Sequence, residues 1–195
     1  KYFGIIEGEC ERLTRLINNV LDYANIERGS KIYNFAPVDL NEIVKRVVEI
    51  TGYQLKMSGF DIEATYGTIQ SVVELDEDAV IQALTNLIAN SIKYSGERKH
   101  IGIRTYVEDR YAVVCVSDHG IGIAANDLEH VFDPYFRSGN KQTSKKKGTG
   151  LGLAIVNHTM QAHGGVSRIS SVVGEGTTIS LHFPVEQDDE EDSNH

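Results

Sequence analysis

The chain is poor in the features that mark several large protein classes. Its two cysteines, Cys10 and Cys115, are too few for a disulfide framework. Each falls in an apolar pattern, which reads as a buried free thiol in a reducing cytoplasm. No apolar run approaches the roughly 20 residues that span a bilayer. There is neither a signal-peptide pattern nor an internal repeat. Positive charge is also scarce: 19 Lys and Arg stand against 28 Asp and Glu, a net −9 that argues against a general nucleic-acid binder. The chain opens without Met, in the middle of a heptad pattern. It therefore reads as a fragment, with room for a membrane segment upstream.

What is present describes a soluble globular chain, 41% hydrophobic and 24% charged in 195 residues, enough for one domain and an appendage. The appendage comes first. Phe3, Ile6, Cys10, Leu13, Ile17, Val20 and Ala24 step by three and four, a seam that faces another helix. Leu16 and Leu21 widen it as in a bundle, and Gly4 and Gly8 weaken its first turns. No second heptad helix follows, so the seam calls for self-association or for a helix outside the chain. We place this helix in residues 1–29 and a mixed domain in 30–185. Residues 186–195, with six acids, read as a solvated acidic tail.

Within the domain, KIYNF (31–35) reads as a short strand. Asp39 and Glu42 form a capping-box pattern ahead of a helix whose buried face is Ile43, Val44, Val47, Val48 and Ile50. Strands are expected at 69–75, 101–107, 111–117, 166–172 and 177–183, and helices at 77–94 and 151–163. The mixture predicts a two-layer α/β sandwich, its mostly antiparallel sheet packed on helices, with the long helix in front.

Four segments carry the chemistry. In NLIANSIKYS (86–95), Asn86, Asn90 and Lys93 share one helical face, where an amide oxygen suits Mg²⁺ and an ammonium suits phosphate; a capped or solvated polar face is the plainer reading. In SDHGIGI (117–123), Asp118 leaves a strand ahead of Gly120 and Gly122, so backbone can approach a planar ligand while the carboxylate accepts from an exocyclic amine; a simple turn is the alternative. In KGTGLGLAI (147–155), Gly148, Gly150 and Gly152 run into a helix N-terminus, where N–H groups converge on an anion. No parallel βαβ unit surrounds these glycines, which excludes a Rossmann reading. GEGTT (174–178) joins the last two strands and needs no function taken alone.

In order, NxxxNxxKY, DxGxG, FDPYF, GTGLGLAI and GEGT resemble the nucleotide-binding boxes of sensor histidine kinases, within the superfamily that includes gyrase, mismatch-repair ATPases and a heat-shock chaperone. The likeness covers about 35–185, and LDYANIERG extends it by resembling the second helix of the kinases' dimerisation hairpin. It implies ATP and Mg²⁺ as cofactors, with Asn90 on the metal and Asn86 in support. Lys93 would meet phosphate, and Tyr94 would lie near the adenine or ribose. Asp118 would accept from the adenine amine with Thr177 or Thr178 helping through water, and Gly120, Gly122 and Ile123 would border the base. Residues 132–136, FDPYF, with Phe132 at the nucleotide, would anchor a lid over about 137–150, with Arg137 reaching the γ-phosphate. Gly148, Thr149, Gly150, Leu151, Gly152 and Leu153 would close over the phosphates. The run Lys141, Lys145, Lys146 and Lys147 would soften charge repulsion, and its polar composition predicts mobility before nucleotide arrives. The resemblance also implies a homodimer through the first helix, a response-regulator partner and a cytoplasmic location, in a parent that is commonly anchored in the inner membrane.

One position bears on the reaction. Hydrolytic members of that superfamily carry a Glu where this chain has Asn86, and an amide is no general base, so phosphoryl transfer to a protein is expected over hydrolysis. The resemblance implies a His acceptor on the first hairpin helix, which is absent here, and all seven histidines lie outside the hairpin segment. Two readings compete: an ATP-hydrolysing clamp, which lacks its Glu here, and an anti-sigma-like serine kinase or binding module, which generally lacks so long a leading helix.

Overall fold

The computed structural model describes residues 2–68, 73–138 and 148–185. Helix α1 (Tyr2–Glu27) leads into strand β1 (Ala36–Val38), α2 (Leu40–Met57), β2 (Asp61–Thr65), β3 (Val73–Leu75) and α3 (Glu77–Tyr94). Then come β4 (His100–Glu108), β5 (Tyr111–Asp118), the short α4 (Ala125–Leu128), α5 (Gly152–Ala162), β6 (Val166–Val172) and β7 (Gly176–Pro184). Five strands form one sheet in the order β2-β4-β5-β7-β6, parallel only between β2 and β4, while β1 and β3 pair apart. Helices α2, α3 and α5 pack on the sheet through Val44, Val47, Leu84, Leu87, Val156 and Met160, against Ile103, Val114, Leu181 and Phe183. This is the expected two-layer sandwich.

Local chemistry sets the element ends. The Asp76 carboxylate accepts the Ala79 N–H at 2.8 Å, and Glu77 and Asp78 complement the positive end of α3. Gly164, at φ +62°, closes α5 in the left-handed region. The β4–β5 turn places Asp109 at φ 52°, a conformation Asp tolerates.

Several local expectations give way. Residues 31–35 form no strand, because the Asn34 N–H donates to the Asp76 carboxylate at 2.7 Å and the Tyr33 hydroxyl meets His158 Nδ1 at 2.9 Å. Side-chain anchors replace a ladder there, and β1 begins only at Ala36. Strand β2 has no counterpart in the expected set, and 69–72 lie outside the described residues. Asp39 caps α2 through the Asn41 N–H at 2.8 Å, while Glu42 pairs with Lys45 at 2.6 Å, so no reciprocal box forms. On α2, Leu40, Thr51 and Leu55 are buried, whereas Ile50 is exposed. Cys115 is buried as expected, but Cys10 is exposed.

The stretch joining α1 to the domain is held by His163, at the end of α5. The Asp76 N–H donates to its Nε2 at 2.9 Å, so the ring hydrogen sits on Nδ1, which donates to the Thr159 carbonyl at 2.7 Å. Phe35 and Tyr33 edge against the ring at 4.9 and 5.9 Å between centroids. Only the neutral imidazole satisfies both bonds, and burial pushes the His163 pKa below its ordinary 6.5. The unfolded chain therefore takes up the proton more readily: stability is complete above about pH 6.5 and is lost as pH falls below it. His158 and His182 are shifted the same way, burial being the main cause of each. A difference measurement isolates His163. The fall in Tm between about pH 7.5 and about pH 5.5 is expected to be shallower in His163→Gln than in the unsubstituted chain. Parallel curves would show that His163 contributes nothing to the acid sensitivity.

Candidate nucleotide site

The sheet and α3 diverge at the end of β5, and an apolar cleft opens between them. Leu87, Val116, Ile121, Ile123, Leu153 and Ile179 wall it, and Asp118 is the ionisable group at its base. Asp118 is the last residue of β5 and pairs in register with Thr177 of β7. Its Oδ2 accepts from the Ser91 hydroxyl at 3.0 Å, and its Oδ1 accepts the N–H groups of Gly120 at 2.8 Å and Thr177 at 3.3 Å. Three donors from three elements therefore fix one carboxylate at the floor of an apolar slot. A flat ring carrying an amino group suits that arrangement.

Glycines make this approach possible. Gly176 sits at φ +136°, and a Cβ there would overlap the Asp118 carbonyl. Gly122, at φ +68°, lies so close to the Val172 carbonyl that no side chain fits. Both positions bring the β6–β7 turn against the segment that follows β5.

Past Asn90 the cleft opens into a polar chamber lined by Asn86, Lys93, Arg137, Gly148, Thr149 and Gly152. The Lys93 Nζ rests 4.7 Å from the Tyr94 ring centroid. Helix α5 starts at Gly152 with an N-cap, Leu151, that supplies no side-chain hydrogen bond, so among the described residues its outward N–H groups and positive end suit an anion. Gly150, at φ +77°, packs on the Tyr135–Phe136 backbone, where a Cβ would lie 2.7 Å from the Tyr135 carbonyl carbon. The far wall belongs to α1, through Leu16 and Asn19. The basic residues Lys141, Lys145, Lys146 and Lys147 lie outside the described residues.

Residues 75–187 match the family described as histidine kinase-, DNA gyrase B-, and HSP90-like ATPase. The chain belongs to this ATPase family. The sensor histidine kinase WalK of Bacillus subtilis is 33% identical over 194 residues, which is 98% of this chain and 32% of that protein. WalK of Staphylococcus aureus is 30% identical over 188 residues, covering 95% of this chain and 45% of its own length. The chain thus spans 32% to 45% of the length of these relatives. Among solved structures, the mycobacterial sensor histidine kinase MprB superposes with TM-score 0.65 at 28% identity, over 78% of this chain and 99% of the other. Full-length ShkA in complex with AMPPNP shares the fold, with TM-score 0.79 at 24% identity over 95% of this chain and 38% of the other. Within the ATPase family, the chain carries the ATP-binding catalytic domain of the sensor histidine kinase type.

Against that family frame, the expected residues fall into three places. Asp118, Gly122, Ile123 and Thr177 line the cleft, and Asn90, Tyr94, Arg137 and Leu153 border both cleft and chamber. Asn86, Lys93, Gly148, Thr149, Gly150 and Gly152 line the chamber. Phe132, Thr178, Gly120 and Leu151 line neither. Within FDPYF it is the last residue, Phe136, that lines the cleft. Thr178 pairs with Ser117, one step off the Asp118 register. A Cβ on Gly120 would sit 2.5 Å from the Tyr94 carbonyl, so that glycine serves helix packing. Leu151 is 1% exposed and part of the core. The sequence reading overlooked Ser91, although it lies one residue from Asn90 on the same helix; nothing in the spacing shows that its hydroxyl meets Asp118.

Proposed function

We propose that this chain is the catalytic portion of a sensor histidine kinase, which binds Mg-ATP and transfers the γ-phosphoryl group to a His on a helix that pairs with α1. Residues 1–29 would be the second hairpin helix and 30–185 the ATP-binding domain. One observation carries the reading: the phosphate end of the site is closed by α1 itself, through Leu16 and Asn19. A phosphoryl group held at Lys93, Arg137 and the α5 N-terminus would face the hairpin.

The cleft fits the base through Asp118 and its apolar walls, and the chamber fits the phosphates through Lys93, Arg137 and uncapped N–H groups. Among the described residues no group of three or more His, Cys, Asp or Glu could hold a metal ion. A cation would rely on the Asn90 amide oxygen and on oxygens of the nucleotide, an all-oxygen set that suits Mg²⁺. Bound Mg²⁺ would supply charge neutralisation between the phosphates. Asn86, buried at 5% exposure, offers an amide where a base would have to stand, which disfavours water as the nucleophile. On α1, Leu13, Ile17, Val20 and Leu21 are each close to half exposed or more, the face a dimer or partner helix would cover. Relay from His to a response-regulator Asp would follow. Among the described residues no helix is long and apolar enough to cross a membrane.

The test is incubation of the chain with Mg²⁺, γ-labelled ATP and a separately purified His-bearing hairpin. Acid-labile label on the hairpin with little free phosphate is expected. Rapid release of phosphate with an unlabelled hairpin would make the chain a hydrolytic relative and overturn the proposal.

A further inference from the structure

Asn19 and Asn86 lie 67 positions apart in sequence, on α1 and α3, yet both are nearly buried, at 8% and 5% exposure. The Asn19 amide Nδ2 donates to Asn86 Oδ1 at 3.3 Å. Asn86 Nδ2 is enclosed and has no hydrogen-bond partner among the described residues. Both residues line the polar chamber with Asn90, Lys93 and Arg137, and Asn86 packs on the start of α5, where a Cβ on Gly152 would be 3.8 Å from its amide carbon.

An Asn amide has one acceptor oxygen and one donor nitrogen, and rotation by half a turn exchanges them. Here α1 turns the oxygen toward Asn19, and the nitrogen is the group of Asn86 left unsatisfied among the described residues. A buried donor without an acceptor is unfavourable, and it is relieved when an acceptor arrives. The chamber ends on uncapped helical N–H groups and a lysine, so the acceptor chemistry it collects is that of phosphate oxygens. We infer that Asn19 is a positioning residue: it locks the Asn86 amide with its donor available to the nucleotide phosphates, and thereby couples the docking of α1 to nucleotide binding. The inference rests on the reading of the chamber as the phosphate site.

Two substitutions separate this role from simple packing. Asn19→Ala removes the donor and releases the Asn86 amide to rotate. Asn19→Asp keeps the shape but can only accept, so it would draw Asn86 Nδ2 toward α1 and turn the oxygen to the phosphates. Both variants are expected to bind AMPPNP about 5-fold more weakly by calorimetry, with Asn19→Asp at least as weak as Asn19→Ala. In a double-mutant cycle, Asn19→Ala combined with Asn86→Ala should weaken binding no more than Asn86→Ala alone. A second readout needs no affinity: AMPPNP should slow backbone amide exchange around residues 16–22 of α1 in the unsubstituted chain and leave it unchanged in Asn19→Ala. Unaltered affinity in Asn19→Asp, or fully additive losses in the cycle, would overturn the inference. Failure of the unsubstituted chain to bind AMPPNP would instead overturn the reading of the chamber.

Discussion

Asp118→Asn is expected to weaken ADP binding roughly 30-fold, about 2 kcal/mol, while Tm stays within a few degrees of the unsubstituted chain. The change is isosteric. The Asn oxygen can keep the N–H groups of Gly120 and Thr177, which Asp118 Oδ1 accepts at 2.8 and 3.3 Å. Its nitrogen can donate to the Ser91 hydroxyl, which now donates to Oδ2 at 3.0 Å. What is lost is the negative charge and the second acceptor facing the cleft, and a donor then confronts the amino group of the base. Loss of one charge-assisted hydrogen bond together with an unpaired buried donor accounts for the magnitude. Calorimetric titration with ADP, beside a thermal melt, separates affinity from stability. An unchanged dissociation constant would remove Asp118 from the base-binding role.

The second large effect concerns backbone. Gly176→Ala is expected to cost about 3 kcal/mol or more, which lowers Tm by roughly 6–12 °C in a domain of this size. At φ +136° the position is open to glycine almost alone, and the added methyl would overlap the Asp118 carbonyl. Relief requires the β6–β7 turn to move, which takes the Thr177 N–H from Asp118 and weakens nucleotide binding as well. Gly174 supplies the control. It also has a positive φ, +84°, but a Cβ there meets nothing within 4 Å. Gly174→Ala should therefore cost only the left-handed penalty of about 1 kcal/mol, or roughly 2–4 °C. Equal losses at the two glycines would show that the close approach to Asp118 carries no weight.

These two sites illustrate how far sequence reading reaches. Asp118 was legible because a carboxylate at the end of an apolar run, followed by DxGxG, is a local pattern. The importance of Gly176 was not, because the carbonyl it must avoid belongs to a strand nearly sixty residues earlier. The same division explains Ser91 and Phe136. Both stand inside recognisable motifs, but their placement depends on which way a helix face and a loop turn toward the cleft. Residues 31–35 misled for the opposite reason. Their composition suits a strand, yet Asp76 captures the Asn34 N–H that a ladder would use, and His158 holds the Tyr33 hydroxyl.

Taken by itself, the sequence determined the heptad period of α1, the cap at Asp39, the strands at 101–107, 111–117, 166–172 and 177–183 and the order of the nucleotide boxes, because each depends on neighbours within a few residues. Only the tertiary structure decided that three donors converge on Asp118, that Gly120 and Leu151 pack against backbone and core, and that α1 lines the chamber beside the cleft through Asn19. Those contacts join residues tens of positions apart, and their geometry exists only once the sheet and helices have packed.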